Sequence, residues 1–137
     1  MTAEILARAA GVEVVIQPAL RERNIGLWTG LTSSEIDSRW PGQRQAYRDD
    51  PQILFPDGED ADAVVRRAGP VLLAIAEEAP PAGVTIAVSH GGVIRCLRLA
   101  LGGTDLPVSH MAGCWIEARE HGLRLVSDIE LGSGRTH

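Results

Sequence analysis

Val84-Thr85-Ile86-Ala87-Val88-Ser89-His90-Gly91-Gly92-Val93-Ile94-Arg95-Cys96-Leu97 changes period halfway along its length. Its first five residues carry a single polar side chain, Thr85, which predicts an interior parallel strand covered on both faces. Gly91-Gly92 then turns the chain, and Val93 to Leu101 continues as a largely buried helix ending at Gly102-Gly103. A strand, a tight glycine turn and a helix together build ligand sites at the carboxyl edge of a parallel sheet. The stretch therefore reads as part of an α/β domain. Gly91 and Gly92 let a ligand approach the backbone, and the first amides of the helix lack intrahelical acceptors. His90 at this turn either contacts an anion or merely caps the helix or fills the strand end; local pattern leaves these open.

Upstream, Asp60 predicts a cap for a helix running to Glu78, with Val64, Val65, Ala68, Val71, Leu72, Ile75 and Ala76 on one face. Gly69-Pro70 within it predicts a kink or break. Thr2 to Ala10 reads as a helix with Ile5, Leu6 and Ala9 on one side, stopped by Gly11, and Val12 to Ile16 as a short strand ended by Pro18. Ser33 or Ser34 is expected to cap a helix to Trp40, with a second short helix from Gln43 to Arg48 and loop from Asp49 to Gly58. Downstream, Cys114 to Arg119 and Leu123 to Glu130 read as strands joined at Glu120-His121-Gly122. The expected organisation is one domain, 1–131, followed by a flexible tail, 132–137.

With 137 residues and 45% apolar composition, the chain supports one packed core. It has no run long enough to span a bilayer and no signal-peptide pattern, so a cytoplasmic address is expected. A formal net charge of -5 disfavours nonspecific binding to nucleic acid or to anionic membranes. All 13 basic side chains are arginine, which suits phosphate recognition but equally fits a compositional bias. Cys96 and Cys114 have no metal spacing and are read as free structural thiols. His90, His110, His121 and His137 show no diagnostic ligand spacing, Ser89 lacks a G-x-S-x-G elbow, and no G-x-G-x-x-G follows a strand.

A second candidate site is Leu20-Arg21-Glu22-Arg23-Asn24-Ile25-Gly26-Leu27-Trp28-Thr29-Gly30. Glu22 reads either as a general acid or as a surface carboxylate paired with Arg21 or Arg23. Glu59, in Pro56-Asp57-Gly58-Glu59-Asp60, is expected to stabilise the first turn of the following helix.

Taken together, four segments resemble the histidine phosphatase, or phosphoglycerate mutase-like, superfamily. They are Thr2-Ala3-Glu4-Ile5; Leu20-Arg21-Glu22 with Gly26, Trp28 and Gly30; Pro56-Asp57-Gly58-Glu59; and Val88-Ser89-His90-Gly91-Gly92-Val93-Ile94-Arg95. The resemblance implies a three-layer α/β fold with a mostly parallel sheet flanked by helices, here incomplete. It implies phosphomonoester hydrolysis through a phosphohistidine, without metal or other cofactor, on a small phosphorylated metabolite. Carried over by position, His90 resembles the second histidine that braces the transferring phosphoryl group, with Gly91 beside it. Glu22 resembles the proton donor to the leaving group, and Arg23 a substrate contact of some members.

The departures shape the functional expectation. Arg-His-Gly, which carries the family's nucleophilic histidine, occurs nowhere in the sequence, and a second phosphate-binding arginine would fall before Met1. Asp60 stands where the family has serine. The resemblance places two further strands on either side of the one matching Val84 to Val88, leaving its edges unpaired here. The chain is therefore expected to be truncated, to show little histidine-dependent turnover, and either to self-associate through those edges or to be unstable. Noncatalytic phosphate-ligand binding, and mutase-like phosphotransfer once the missing strand is restored, are the alternatives.

Overall fold

The computed structural model describes residues 2–50, 52–53, 55–80, 82–105, 108 and 111–129. Among these residues, five α-helices, α1 (Thr2–Ala10), α2 (Ser33–Arg39), α3 (Gln43–Asp49), α4 (Ala61–Glu77) and α5 (Gly91–Ala100), precede a hairpin of β1 (Gly113–Arg119) and β2 (Gly122–Ile129). Among the described residues, β1 and β2 form the sheet. The result is a mixed α/β structure.

The main core lies where α4 meets α5. Val64, Ala68 and Leu72 are spaced four residues apart and so line one side of α4, where they pack with Val93, Cys96 and Leu97 of α5 and with Leu20. Ile116 and Leu123 bring the hairpin against this cluster. Asp60 caps α4 as expected, its side chain accepting from the Ala63 amide at 2.5 Å. Of the kink or break anticipated at Gly69-Pro70, the break does not occur, and α4 is continuous through Pro70. Pro70 and Arg66 are both exposed, so water can satisfy the carbonyl that the proline ring leaves without a partner.

A second cluster joins Trp28, Ile36 and Phe55, with Ile25, Leu31, Trp40 and Tyr47 around it. It holds α2 and α3 beside the 20–30 loop. The cap of α2 is Thr32 rather than Ser33 or Ser34. Thr32 and Glu35 form a reciprocal capping box that neither serine can form at that spacing. The hairpin closes through Glu120-His121, with Arg119 opposite Gly122, and a register irregularity falls between Trp115 and Ile116. Cys96 and Cys114 are free, and burial pushes both thiols up, in keeping with a structural role.

Two expected strands are not strands. Val12 to Ile16 and Val84 to Val88 lie outside the sheet, with no pairing to each other or to the hairpin. Val15 is 77% exposed and Ile16 84%, while Val84 and Ile86 are each 64% exposed. Apolar β-branched composition favours extended backbone, but a strand exists only when a neighbour takes its amides and carbonyls. The expected parallel sheet is therefore not found among the described residues. α1 also forms without burying any residue, so the apolar side predicted from Ile5, Leu6 and Ala9 is only partly covered. The expected tail at 132–137, and Glu130 and Leu131 before it, lie outside the described residues.

Candidate functional site

His90 is the N-cap of α5, in extended conformation, and its side chain makes no capping hydrogen bond. The imidazole is therefore not spent on its own helix. It faces the carboxylate of Glu22, with Nδ1 3.8 Å from Oε2, and both side chains are about half exposed. Ser89 Oγ donates to the carbonyl of Leu20 at 2.8 Å, tying the turn before α5 to the loop that carries Glu22. This bond brings the two sequence-predicted segments into one site, and it engages the Ser89 hydroxyl in structure.

Gly92 makes the closeness possible. A Cβ built on it would stand 2.8 Å from Glu22 Oε1 and 3.5 Å from Arg23 Cβ, so a side chain there would displace the carboxylate. Glu22 Oε1 also accepts from the Arg23 amide at 2.8 Å. The first turn of α5, beginning at Gly91, thus presents uncapped amides beside an imidazole and a carboxylate. Donors at a helix N-terminus suit the oxygens of an anion, and the carboxylate can carry a proton to or from an atom bonded to that anion.

Arg23 does not open into this space. It is 3% exposed, Nε donates to the Glu59 carbonyl at 2.8 Å and Nη2 approaches the Ile53 carbonyl at 3.5 Å. Its guanidinium lies 4.6 Å from the Phe55 ring centroid and 5.3 Å from that of Tyr47. Arg95 stands 5.6 Å from the Tyr47 centroid, so the ring is contacted by two guanidinium groups. Arg95 also pairs with Asp105 at 2.6 Å and donates to the Arg48 carbonyl, joining α5 to the end of α3. Tyr47 carries no motif from which sequence reading could have placed it here, and Arg95, although the last residue of the segment from Val88 to Arg95, has no role that the sequence assigns.

Glu59 does more than favour the start of α4. Its Oε1 accepts from Arg21 Nη2 at 2.9 Å and Arg67 Nε at 2.8 Å; its Oε2 accepts from the Asn24 amide and Arg67 Nη2, each at 2.9 Å. The Glu59 amide in turn donates to the Asn24 carbonyl at 2.9 Å. Arg67 continues to the Ala19 carbonyl at 2.5 Å and the Glu22 carbonyl at 3.2 Å. The Arg67 hydrogen bonds, followed by the Asn24 amide and the charges of Arg67 and Arg21, hold the Glu59 carboxyl down at about 2 against the opposing cost of burial. Arg67 escaped the sequence reading because it flanks the apolar side of α4 as an ordinary helix arginine would. Among the described residues, no group of three or more His, Cys, Asp or Glu is placed to hold a metal, and no helix is long and apolar enough to cross a membrane.

Comparison with known proteins agrees with the resemblance. The family model of the histidine phosphatase superfamily (branch 1) matches residues 1–125. A glucosyl-3-phosphoglycerate phosphatase of Mycobacterium tuberculosis is 34% identical over 116 residues, covering 80% of this chain and 51% of that one. Phosphoserine phosphatase 1 of Hydrogenobacter thermophilus is 27% identical over 115 residues, covering 83% and 54%. The chain spans about half the length of these curated relatives. Among solved structures, mycobacterial glucosyl-3-phosphoglycerate phosphatase in complex with inorganic phosphate matches with a TM-score of 0.74 at 29% identity, over 93% of this chain and 69% of that one. The same phosphatase in complex with VO3 matches at 0.74 and 29%, over 94% and 69%.

Proposed function

The chain belongs to the histidine phosphatase superfamily, and from that premise we propose that its site handles the phosphoryl group of a small phosphorylated metabolite. The observation that carries this reading is the placement of His90 and Glu22 3.8 Å apart at the uncapped start of α5. In the proposed arrangement His90 and the Gly91 amide take phosphoryl oxygens, and Glu22 faces the leaving oxygen as proton donor. Arg23 supports the site from beneath, its guanidinium engaged by Glu59 and the rings of Phe55 and Tyr47. The solved relatives bound to phosphate and VO3 support an oxyanion as the ligand class.

Phosphomonoester hydrolysis is the reaction we propose for the complete family site. Within these 137 residues no Arg-His-Gly occurs. One imidazole cannot carry the phosphoryl group and also brace it, so His90 does not replace a separate nucleophile. That sequence fact favours a second reading for the chain as it stands, phosphate-ligand binding with little turnover. Two measurements on the purified chain separate them. Inorganic phosphate is expected to raise the Tm and to move the His90 imidazole resonance, with both responses lost in His90→Ala. Release of phosphate from a phosphomonoester panel is expected to stay near background. Robust His90-dependent release with a trapped phosphohistidine would establish hydrolysis by this chain, and absence of any phosphate response would reject the site.

A further inference from the structure

We propose that Glu59 and Arg67 form a positioning pair whose task is to present the Glu22 carboxylate to His90, and that a change in either acts through Glu22. The proposal deepens the reading of the site given above and rests on it for its functional meaning. Its geometric content stands on the contacts alone.

Glu22 belongs to a loop between Leu20 and Asn24 that no helix or strand holds. A carboxylate on such a segment keeps its place only if the backbone on both sides is fixed. The residues around Glu22 in sequence are tied to Glu59: Arg21 by its guanidinium, Arg23 by its Nε on the Glu59 carbonyl, and Asn24 by both its amide and its carbonyl. Arg67 supplies what Glu59 does not reach. From α4 it spans to the carbonyls of Ala19 and Glu22 while keeping its Nε and Nη2 on the Glu59 carboxylate. The pair is little exposed, each side chain near 15%, so its bonds are shielded from water more than those of a surface ion pair. Glu59 immediately precedes the capped start of α4, and Arg67 lies within α4, so the loop is referred to a helix that contributes Val64, Ala68 and Leu72 to the core. Both groups reach Glu22 through the loop, Arg67 also by its charge.

The test reads the His90 Cε1–Hε1 resonance, assigned by its disappearance in His90→Asn, in the 137-residue chain at fixed neutral pH. Glu22→Gln removes the facing charge and is expected to shift this signal. Glu59→Gln and Arg67→Met are expected to move it in the same sense by at least half as much. The double variant Glu22→Gln/Glu59→Gln is expected to match Glu22→Gln alone, because a displaced carboxylate and a neutralised one are equally lost to His90. Arg66→Gln, on the exposed side of α4, is expected to leave the signal in place. Should Glu59→Gln fail to fold, Glu59→Asp supplies the comparison, since it keeps the charge but shortens the reach to Asn24. An unmoved signal in Glu59→Gln and Arg67→Met, or additive shifts in the double variant, would overturn the proposal. Loss of phosphate response with this coupling intact would count against the functional reading instead.

Discussion

Gly26 shows how little freedom the site loop has. Its φ is +55°, and a Cβ there would lie 2.0 Å from the Pro56 carbonyl oxygen. The close approach lets the Leu27 amide donate to that same carbonyl at 2.9 Å, joining the 20–30 loop to the Pro56-Asp57-Gly58 turn. Gly26→Ala combines backbone strain with a clash against main chain and is expected to cost about 3 kcal/mol or more, checked by urea unfolding. Gly92→Ala differs in kind, because the nearest atom it meets is the movable end of Glu22. It is expected to cost less stability, about 1 kcal/mol, while abolishing the phosphate-dependent shift of His90; retention of that shift would show that Glu22 placement does not matter to the anion. Val93, fully buried one turn into α5, answers a simpler question. Val93→Ala removes two methyl groups from a closed core, and a loss of about 2 kcal/mol is expected in the same unfolding assay.

At the scale of elements, the Glu59–Arg67 pair ties α4 to the loop with a definite pH signature. The carboxyl of Glu59 is depressed from 4.5 to about 2 in the folded chain. A group whose pKa is lower folded than unfolded binds more protons when unfolded, so its stabilisation is complete above the unfolded value and is lost as pH falls towards the folded one. Unfolding free energy is therefore expected to decline between about pH 5 and pH 2 in the wild type. In Glu59→Gln that part of the decline should be missing, and equal slopes in both proteins would refute the assignment. The α4 side of this contact was legible in the sequence: a 3.6-residue apolar repeat behind Asp60 specifies a helix that needs no distant partner to close its own hydrogen bonds. The hairpin was legible for a related reason, since a two-residue turn brings its strands together locally. The Arg67 end was not, because its acceptors, the carbonyls of Ala19 and Glu22, lie 48 and 45 residues away. Side chains that hydrogen-bond main chain at such separations leave no periodic trace.

The whole molecule turns on Val12 to Ile16 and Val84 to Val88, the two segments whose composition predicts strands and whose surroundings supply none. The physical limit on reading them is plain: composition specifies what a strand would bury, whereas pairing depends on what lies beside it. Both segments lead into the site, the first toward Leu20 and the second directly to Ser89, and the Ser89–Leu20 hydrogen bond joins their ends. Exposed apolar side chains beside unpaired backbone groups are a template for another chain. This chain covers 69% of each of the solved relatives in complex with phosphate and VO3. We propose that in isolation the same edges pair between copies, so the purified chain is expected to elute as a concentration-dependent oligomer with mass determined by light scattering. Amides 84–88 are expected to gain exchange protection as concentration rises, and Ile86→Lys, which places a charge on the segment, to shift the population toward monomer. A compact monomer at all concentrations, with 84–88 strongly protected, would mean that the segments are covered from within the chain and that the association is wrong. Because Val88 is followed at once by Ser89 and His90, pairing of this segment also bears on the site. Phosphate response in the oligomer is expected to exceed that of the Ile86→Lys monomer, since a strand held by neighbours fixes the imidazole that an unpaired segment leaves free to move.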